Sequence, residues 1–329
     1  MLLEVGESQL VDAFKKYNNK SEDSFLTSLP YHLLTGRKGL RVFNDADAHL
    51  IVACHPNKEN TLLVFPEING NGSLTIQVLN QLSQEGLNIQ LARYQEHDFK
   101  KLCEAMKWVK SSTVLSITRM EETILDWKYS SRIVDVEQTA CLSGKKYAGL
   151  RRAFNTVSKK EGMQELSLSH PDALHAIEGN IMIWAGLMTF KDKKTHEMTG
   201  FYTALLKAMN VAPELFDGFV LIYQNEPIGF TIWDNCQTKT VSALANLSKR
   251  SIPYLSEYQL IRACQILNEK GVDQLDLGGS ESQDLDAFKL KLKPSSSVSL
   301  QSYQVNYNNF PSLGIKETVL VPSGHVRLK

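Results

Sequence analysis

Two stretches of this chain carry the same order of elements, and that repetition limits the fold more than any other feature. In the first half, Leu40–Phe43, Leu50–Cys54 and Thr61–Phe65 read as short strands. The turn-forming runs Asn44-Asp-Ala-Asp and Pro56-Asn-Lys-Glu-Asn separate them. Ser73 opens a segment whose Ile76, Leu79 and Leu82 share a helical face, with Gly86 as its stop. A strand over Asn88–Tyr94, a helix over His97–Lys110 and a strand over Thr113–Thr118 follow. The second half repeats the order. Strands are expected at Phe216–Tyr223, Ile228–Trp233 and Thr238–Ala245, then a helix that Ser256 and Gln259 open as a capping box and Gly271 ends. Asp273–Leu277 is the next strand. Such a plan, written twice, predicts an α/β (α+β) chain of two tandem domains, each a mixed, mostly antiparallel sheet flanked by helices. The expected division is an N-terminal domain over 1–138 and a C-terminal domain with a C-terminal extension over 139–329. A chain of 329 residues has the length for two such cores.

Composition narrows the partners. There are 36 basic and 36 acidic residues, so an anionic ligand has to be met by a local patch rather than by the field of the whole chain. Five cysteines stand singly, without a CxxC pair, and the eight histidines show no ligand spacing. That pattern suits a reducing compartment and predicts neither a disulfide framework nor a metal site. No apolar run approaches the roughly 20 residues that span a bilayer, and the opening Met-Leu-Leu-Glu-Val-Gly-Glu does not suit a secretory signal. A cytoplasmic protein is the expectation.

One such patch lies between the halves. Gly144-Lys-Lys-Tyr-Ala-Gly-Leu-Arg-Arg-Ala-Phe-Asn-Thr-Val-Ser-Lys-Lys160 carries six basic residues and no acidic one. Tyr147, Leu150, Phe154 and Val157 fall on one helical face, and Lys145, Arg152 and Lys159 on the opposite one. Such a stripe can neutralise the phosphates of a nucleic acid without reading its bases. It can equally be a solvated helix face.

The second patch is Leu275-Asp-Leu-Gly-Gly-Ser-Glu-Ser-Gln-Asp-Leu-Asp-Ala-Phe-Lys-Leu-Lys-Leu-Lys-Pro294. A strand delivers Gly278, Gly279 and Ser280 to a sheet edge, and Ser280 with Gln283 reads as a capping box. Backbone N–H groups near Gly279 and Ser280 would then be open to an anion. The plain alternative is a capped turn followed by surface lysines. Periodicity leaves the rest open: Phe288, Leu290 and Leu292 alternate as in a strand, whereas Leu285, Phe288 and Leu292 suit a helix. Elsewhere, Gly36-Arg-Lys-Gly39 reads as a loop, and His170 and His175 as capping and surface residues. Met182, Trp184, Met188 and Phe190 read as core.

Taken together, Leu142-Ser-Gly-Lys-Lys-Tyr-Ala-Gly-Leu-Arg-Arg-Ala-Phe-Asn, with Asp126-Trp-Lys-Tyr and Asp135 before it, and the closing Leu275-Asp-Leu-Gly-Gly-Ser with Leu285 and Phe288-Lys289 have a wider likeness. They resemble the catalytic domain of phosphatidylglycerol lysyltransferases and the Fem-type peptidyltransferases, which take amino acids from tRNA. The likeness covers about residues 30 to 305. It implies two GNAT-like folds in tandem and an aminoacyltransferase activity. It also implies a role for Lys289 in stabilising the transition-state charge, with Gly278, Gly279 and Ser280 as one wall of the substrate site. Asp276 is the residue that would orient the attacking amine, and Lys145, Lys146, Arg152 and Lys159 would hold the tRNA. The pattern departs from the families at Gln274 and at Leu292-Lys-Pro. A coenzyme A-dependent GNAT carries an Arg/Gln-x-x-Gly-x-Gly/Ala turn before the crossover helix. Here Asn246-Leu-Ser-Lys-Arg-Ser-Ile-Pro-Tyr-Leu-Ser has no glycine, so backbone cannot approach a pyrophosphate closely. The expected co-substrate is therefore aminoacyl-tRNA ahead of coenzyme A, with no cofactor or metal and a small-molecule or peptide acceptor. An acyl-CoA N-acyltransferase and a noncatalytic tandem scaffold are the other readings.

Overall fold

In the computed structural model, described for residues 3–4, 24–45, 48–108, 114–120, 128–188, 194–235 and 239–307, the repeated plan forms two seven-stranded sheets. Asp126, Trp127, Phe190, Cys236, the first residues of two expected strands (Thr113 and Thr238), the side chain of Met188 and the extension beyond 307 lie outside the described residues. Each sheet belongs to its own unit. One unit draws on 1–27, 35–128 and 299–329, the other on 28–34 and 129–298.

The first sheet contains β1 (Leu3–Glu4), β2 (Leu40–Asp45), β3 (Ala48–Cys54), β4 (Thr61–Val64), β5 (Asn88–Tyr94) and β6 (Val114–Arg119). Its order is β1-β2-β3-β4-β5-β14-β6, with β14 (Gln301–Tyr307) supplied by the far end of the chain. Only β4 and β5 run parallel, which requires a crossover, and helix α2 (Ser73–Leu82) provides it. Leu74, Ile76, Val78, Leu79 and Leu82 of α2, with Leu102 of α3 (Glu96–Trp108), pack on Phe43, Leu50, Val52, Leu62 and Leu91.

The second sheet is built from β7 (Ser131–Asp135), β8 (Gln164–Ser167), β9 (Phe216–Tyr223), β10 (Glu226–Asp234), β11 (Thr240–Ser248), β12 (Gln274–Asp276) and β13 (Ser296–Val298). Its order is β13-β7-β12-β11-β10-β9-β8. Again one pair is parallel, β11 with β12, joined by helix α8 (Leu255–Glu269). One face, with Val134, Leu221, Trp233, Val241 and Leu275, is covered by α4 (Val136–Cys141), α5 (Ala148–Ser158) and α8. The other face, with Val220, Phe230, Ile232 and Leu247, is covered by α6 (Ala173–Met188) and α7 (Lys194–Val211). Leu34 of α1 (Leu29–Thr35) packs in that second core. Among the described residues no helix is long and apolar enough to cross a membrane.

Four expectations change. Strand β7 lies before residue 138 yet pairs with β12 and β13 of the second sheet, while β14, inside the expected C-terminal domain, pairs with β5 and β6 of the first. Strand partners so distant in sequence leave no local signal. Ser256 and Gln259 do not cap α8, whose N-cap is Tyr254 in the left-handed region. Their side chains turn to β11 instead: Ser256 Oγ donates to Ser248 Oγ at 2.8 Å, and Gln259 Nε2 donates to Leu247 O at 3.1 Å. The helix after β12 is capped by Ser282 rather than Ser280. Met182 is 69% exposed, not core.

Candidate functional site

The parallel pairing of β11 with β12 lasts three residue pairs and ends at Ser242 and Asp276. Beyond that point β11 continues to Ser248, paired with β10 alone, and the β10–β11 register shifts between Ile232 and Trp233. The Ser242 amide turns to Asp234 Oδ1, 2.8 Å away. A sheet that parts at the C-terminal ends of its parallel strands is where α/β folds take ligands.

The turn that leaves this gap is tied down from several sides. Gly278 has φ of 71°, a left-handed conformation that favours glycine. Asp276, wholly buried, accepts from Ser131 Oγ at 2.5 Å and from the Gly278 amide at 2.9 Å through one oxygen. Ser280 pairs with Tyr129 in both directions, its carbonyl accepting at 2.9 Å and its amide donating at 3.4 Å. Helix α9 (Gln283–Lys291) follows, with Ser282 Oγ accepting from the Leu285 amide. Arg132 on β7 grips Asp286 of that helix, Nε to Oδ1 at 2.8 Å and Nη2 to Oδ2 at 2.9 Å. This pair raises the Arg132 pKa, first through the hydrogen bond to Asp286. One turn further on, Lys289 donates Nζ to Gly278 O at 3.1 Å and to Gly279 O at 2.5 Å.

The structure thus brings Asp276, Gly278, Gly279, Ser280 and Lys289 together, and it changes what they offer. The Ser280 amide, expected to be open to an anion, is engaged by Tyr129, because the strand pairing runs on past β12 as an isolated bridge. The Lys289 ammonium faces two carbonyls of the turn, and its residue is 9% exposed. The Ser280 hydroxyl is buried and has no hydrogen-bond partner among the described residues. Ser131, Arg132 and Asp286 were not foreseen. The first two come from a strand about 145 residues away, as the 145-residue separation of Ser131 from Asp276 records. Asp286 could have been noticed, three residues before Lys289 on one helical face.

The basic segment is a 3₁₀ turn, Lys145–Tyr147, leading into α5. Tyr147, Leu150 and Val157 are buried, with Phe154 stacked on Tyr258 at 4.9 Å, as the spacing predicts. Three of the six cations are committed to the fold. Lys146 donates to Gln138 Oε1 at 2.9 Å, Arg151 to the carbonyls of Leu142 and Gly144, and Lys160 lies 5.4 Å over the Tyr223 ring. Lys145, Arg152 and Lys159 are exposed, and no side-chain bond to a described residue uses them. Arg152 and Lys159, with Asn155 and Thr156, share one exposed face of α5 and its C-cap.

Solved structures share this architecture. A conserved protein of unknown function from Bacteroides thetaiotaomicron superposes with a TM-score of 0.71 at 14% identity, over 93% of this chain and 100% of that one. L-PGS from Bacillus licheniformis follows with 0.62 and 16%, over 94% and 96%. FemX gives 0.58 and 11%, over 92% and 96%. The fold is tandem GNAT-like. A tandem GNAT protein from the clavulanic acid biosynthesis pathway shares it, with a TM-score of 0.53 at 10% identity over 94% of this chain and 99% of that one. These likenesses establish the fold. No protein-family model and no curated protein matches the chain.

Proposed function

We propose that this chain is an acyltransferase that moves an aminoacyl group from aminoacyl-tRNA to an amine or hydroxyl of a small-molecule or peptide acceptor. The observation that carries the reading is the row of Lys145, Arg152 and Lys159, three exposed cations with no side-chain bond to a described residue, on a chain of zero net charge. They belong to the same unit as the gap between β11 and β12. The names of L-PGS and FemX, whose fold this chain has, agree with aminoacyl transfer. The turn from β11 into α8 offers no glycine to a pyrophosphate, and its Lys249 is paired to Glu226 at 2.6 Å.

In the proposed reaction the acceptor atom attacks the ester carbonyl of the donor and a tetrahedral oxyanion forms. The ester C–O bond then breaks, and the proton lost by the acceptor leaves with the tRNA ribose oxygen. Preorganised dipoles around the oxyanion lower this barrier more than a covalent nucleophile would. The chain contributes a stiff turn. Asp276 and Ser131 fix its start, and Lys289 holds the carbonyls of Gly278 and Gly279. Lys289 then acts as a positioning residue.

Binding of charged tRNA and of acyl-CoA, titrated separately, tests the donor. Salt-dependent binding of tRNA supports the reading, since phosphate contacts release counterions. Saturable acyl-CoA binding with indifference to tRNA contradicts it.

A further inference from the structure

The first unit has its own parallel pair, β4 and β5, and its own crossover helix, α2. The connection is Phe65-Pro-Glu-Ile-Asn-Gly-Asn-Gly72. A glycine-bearing turn running into a helix N-terminus is an arrangement that cradles phosphate, because unpaired N–H groups and the helix dipole both favour an anion. Here the anion is the chain's own. Glu67 Oε2 accepts from the Thr75 amide at 3.0 Å and from Thr75 Oγ1 at 3.1 Å. Asn71 Oδ1 accepts from the Ser73 amide at 3.1 Å.

The Glu67 side chain lies so close to Gly70 that a Cβ there would stand 1.6 Å from Oε1 and 2.3 Å from Cδ. Glycine at 70 is therefore what admits the carboxylate. On the far side Gly72 has φ of 94°, and a Cβ on it would stand 2.9 Å from Leu102 Cα, so α3 closes the cradle there. The space left, bordered by Thr75, Tyr94, Asp98 and Lys101, is about 10 Å³, room for at most one water. Cofactor sites take roughly 300 Å³ or more. Asp98 adds a second carboxylate to the border.

We infer that Glu67 is a built-in occupant of the phosphate position of the first unit, closing that unit to phosphate-bearing cosubstrates. This stands independently of which donor the second unit uses.

Inorganic pyrophosphate, titrated into the full chain and followed at the amide resonances of Ser73, Leu74 and Thr75, tests it at the right place. Wild type and Glu67→Gln, whose amide keeps the shape and still accepts from Thr75, are expected to show no saturable shift. Glu67→Ala is expected to bind at least tenfold more tightly than wild type. Should that variant not fold, Glu67→Asp, one methylene short of Thr75, takes its place. Gly70→Ala supplies an arm without ligand: its Cβ must expel Glu67, so it lowers the melting temperature in wild type and has little effect beside Glu67→Ala. Pyrophosphate shifting the wild-type amides as tightly as those of the opened variant overturns the inference. So does an opened, folded variant that binds no better, or an equal loss from Gly70→Ala in both backgrounds.

Discussion

Arg132 and Asp286 meet through two parallel hydrogen bonds and so tie β7 to α9 across 154 residues of sequence. Their side chains are 19% and 9% exposed, so the pair is held largely away from water. Removing one partner leaves the other charge mostly buried and without its ion-pair partner, the costly half of such a pair. Asp286→Asn is expected to destabilise the chain by about 2–3 kcal/mol, below the usual loss for a fully buried pair. A double-mutant cycle with Arg132→Gln should recover most of that as coupling. Additive losses would show that the two residues act separately.

Lys289 sits one turn beyond Asp286, and its ammonium is spent on the turn carbonyls. Lys289→Ala should therefore cost stability as well as rate, about 1.5–3 kcal/mol for charge-assisted hydrogen bonds. A lysine that served the oxyanion alone would lower kcat and leave the melting temperature where it was. Thermal melts beside single-turnover rates distinguish the two.

The three exposed cations, Lys145, Arg152 and Lys159, make a separable prediction. Arg152→Gln and Lys159→Gln are each expected to weaken tRNA binding uniformly across tRNA species. Each should also reduce the slope of log K against log salt by about 1. Arg151→Gln should behave differently, lowering stability because it frees the carbonyls of Leu142 and Gly144. Equal salt slopes for all the variants would remove the stripe from the binding surface.

His55 gives the first unit a pH dependence. Burial, then the charges of Lys58, Lys38 and Arg37, lower its pKa to about 4. Its neutral Nδ1 accepts from the amides of Asn57 and Lys58, both at 3.0 Å. The folded pKa lies below the unfolded one of about 6.5, so the unfolded chain takes up the proton first as pH falls. This contribution is full above about pH 6.5 and is lost as pH drops toward 4. Melting temperatures measured from pH 7 to pH 5 should fall more steeply for wild type than for His55→Gln. Parallel slopes would contradict the assignment.

Much of the fold was legible because its signals are local. The two runs of three strands, helix, strand and helix come from alternation, helical spacing and turn residues. Their bounds agree closely, as at Asn88–Tyr94 and Phe216–Tyr223. What was not legible depends on partners far away in the chain. The sheets of β7 and β14 are chosen by pairing across more than a hundred residues. Ser256 and Gln259 have the spacing of a cap but find better partners on β11. Phe288–Leu292 fitted strand and helix alike until Ser282 and the Arg132–Asp286 pair fixed the helix. At the candidate site the residue types were legible and their directions were not. A lysine facing carbonyls and a lysine facing a ligand read the same in sequence.

The central claim is the aminoacyl transfer. A pool of tRNA charged with labelled amino acids, incubated with the chain and mixtures of amine- and hydroxyl-bearing acceptors, tests it by mass spectrometry of the products. The account predicts an acceptor heavier by one aminoacyl group, formed only with charged tRNA and lost with Lys289→Ala. Label transferred equally well from acyl-CoA, or tRNA deacylated at the same rate without the chain and with no product formed, would contradict it.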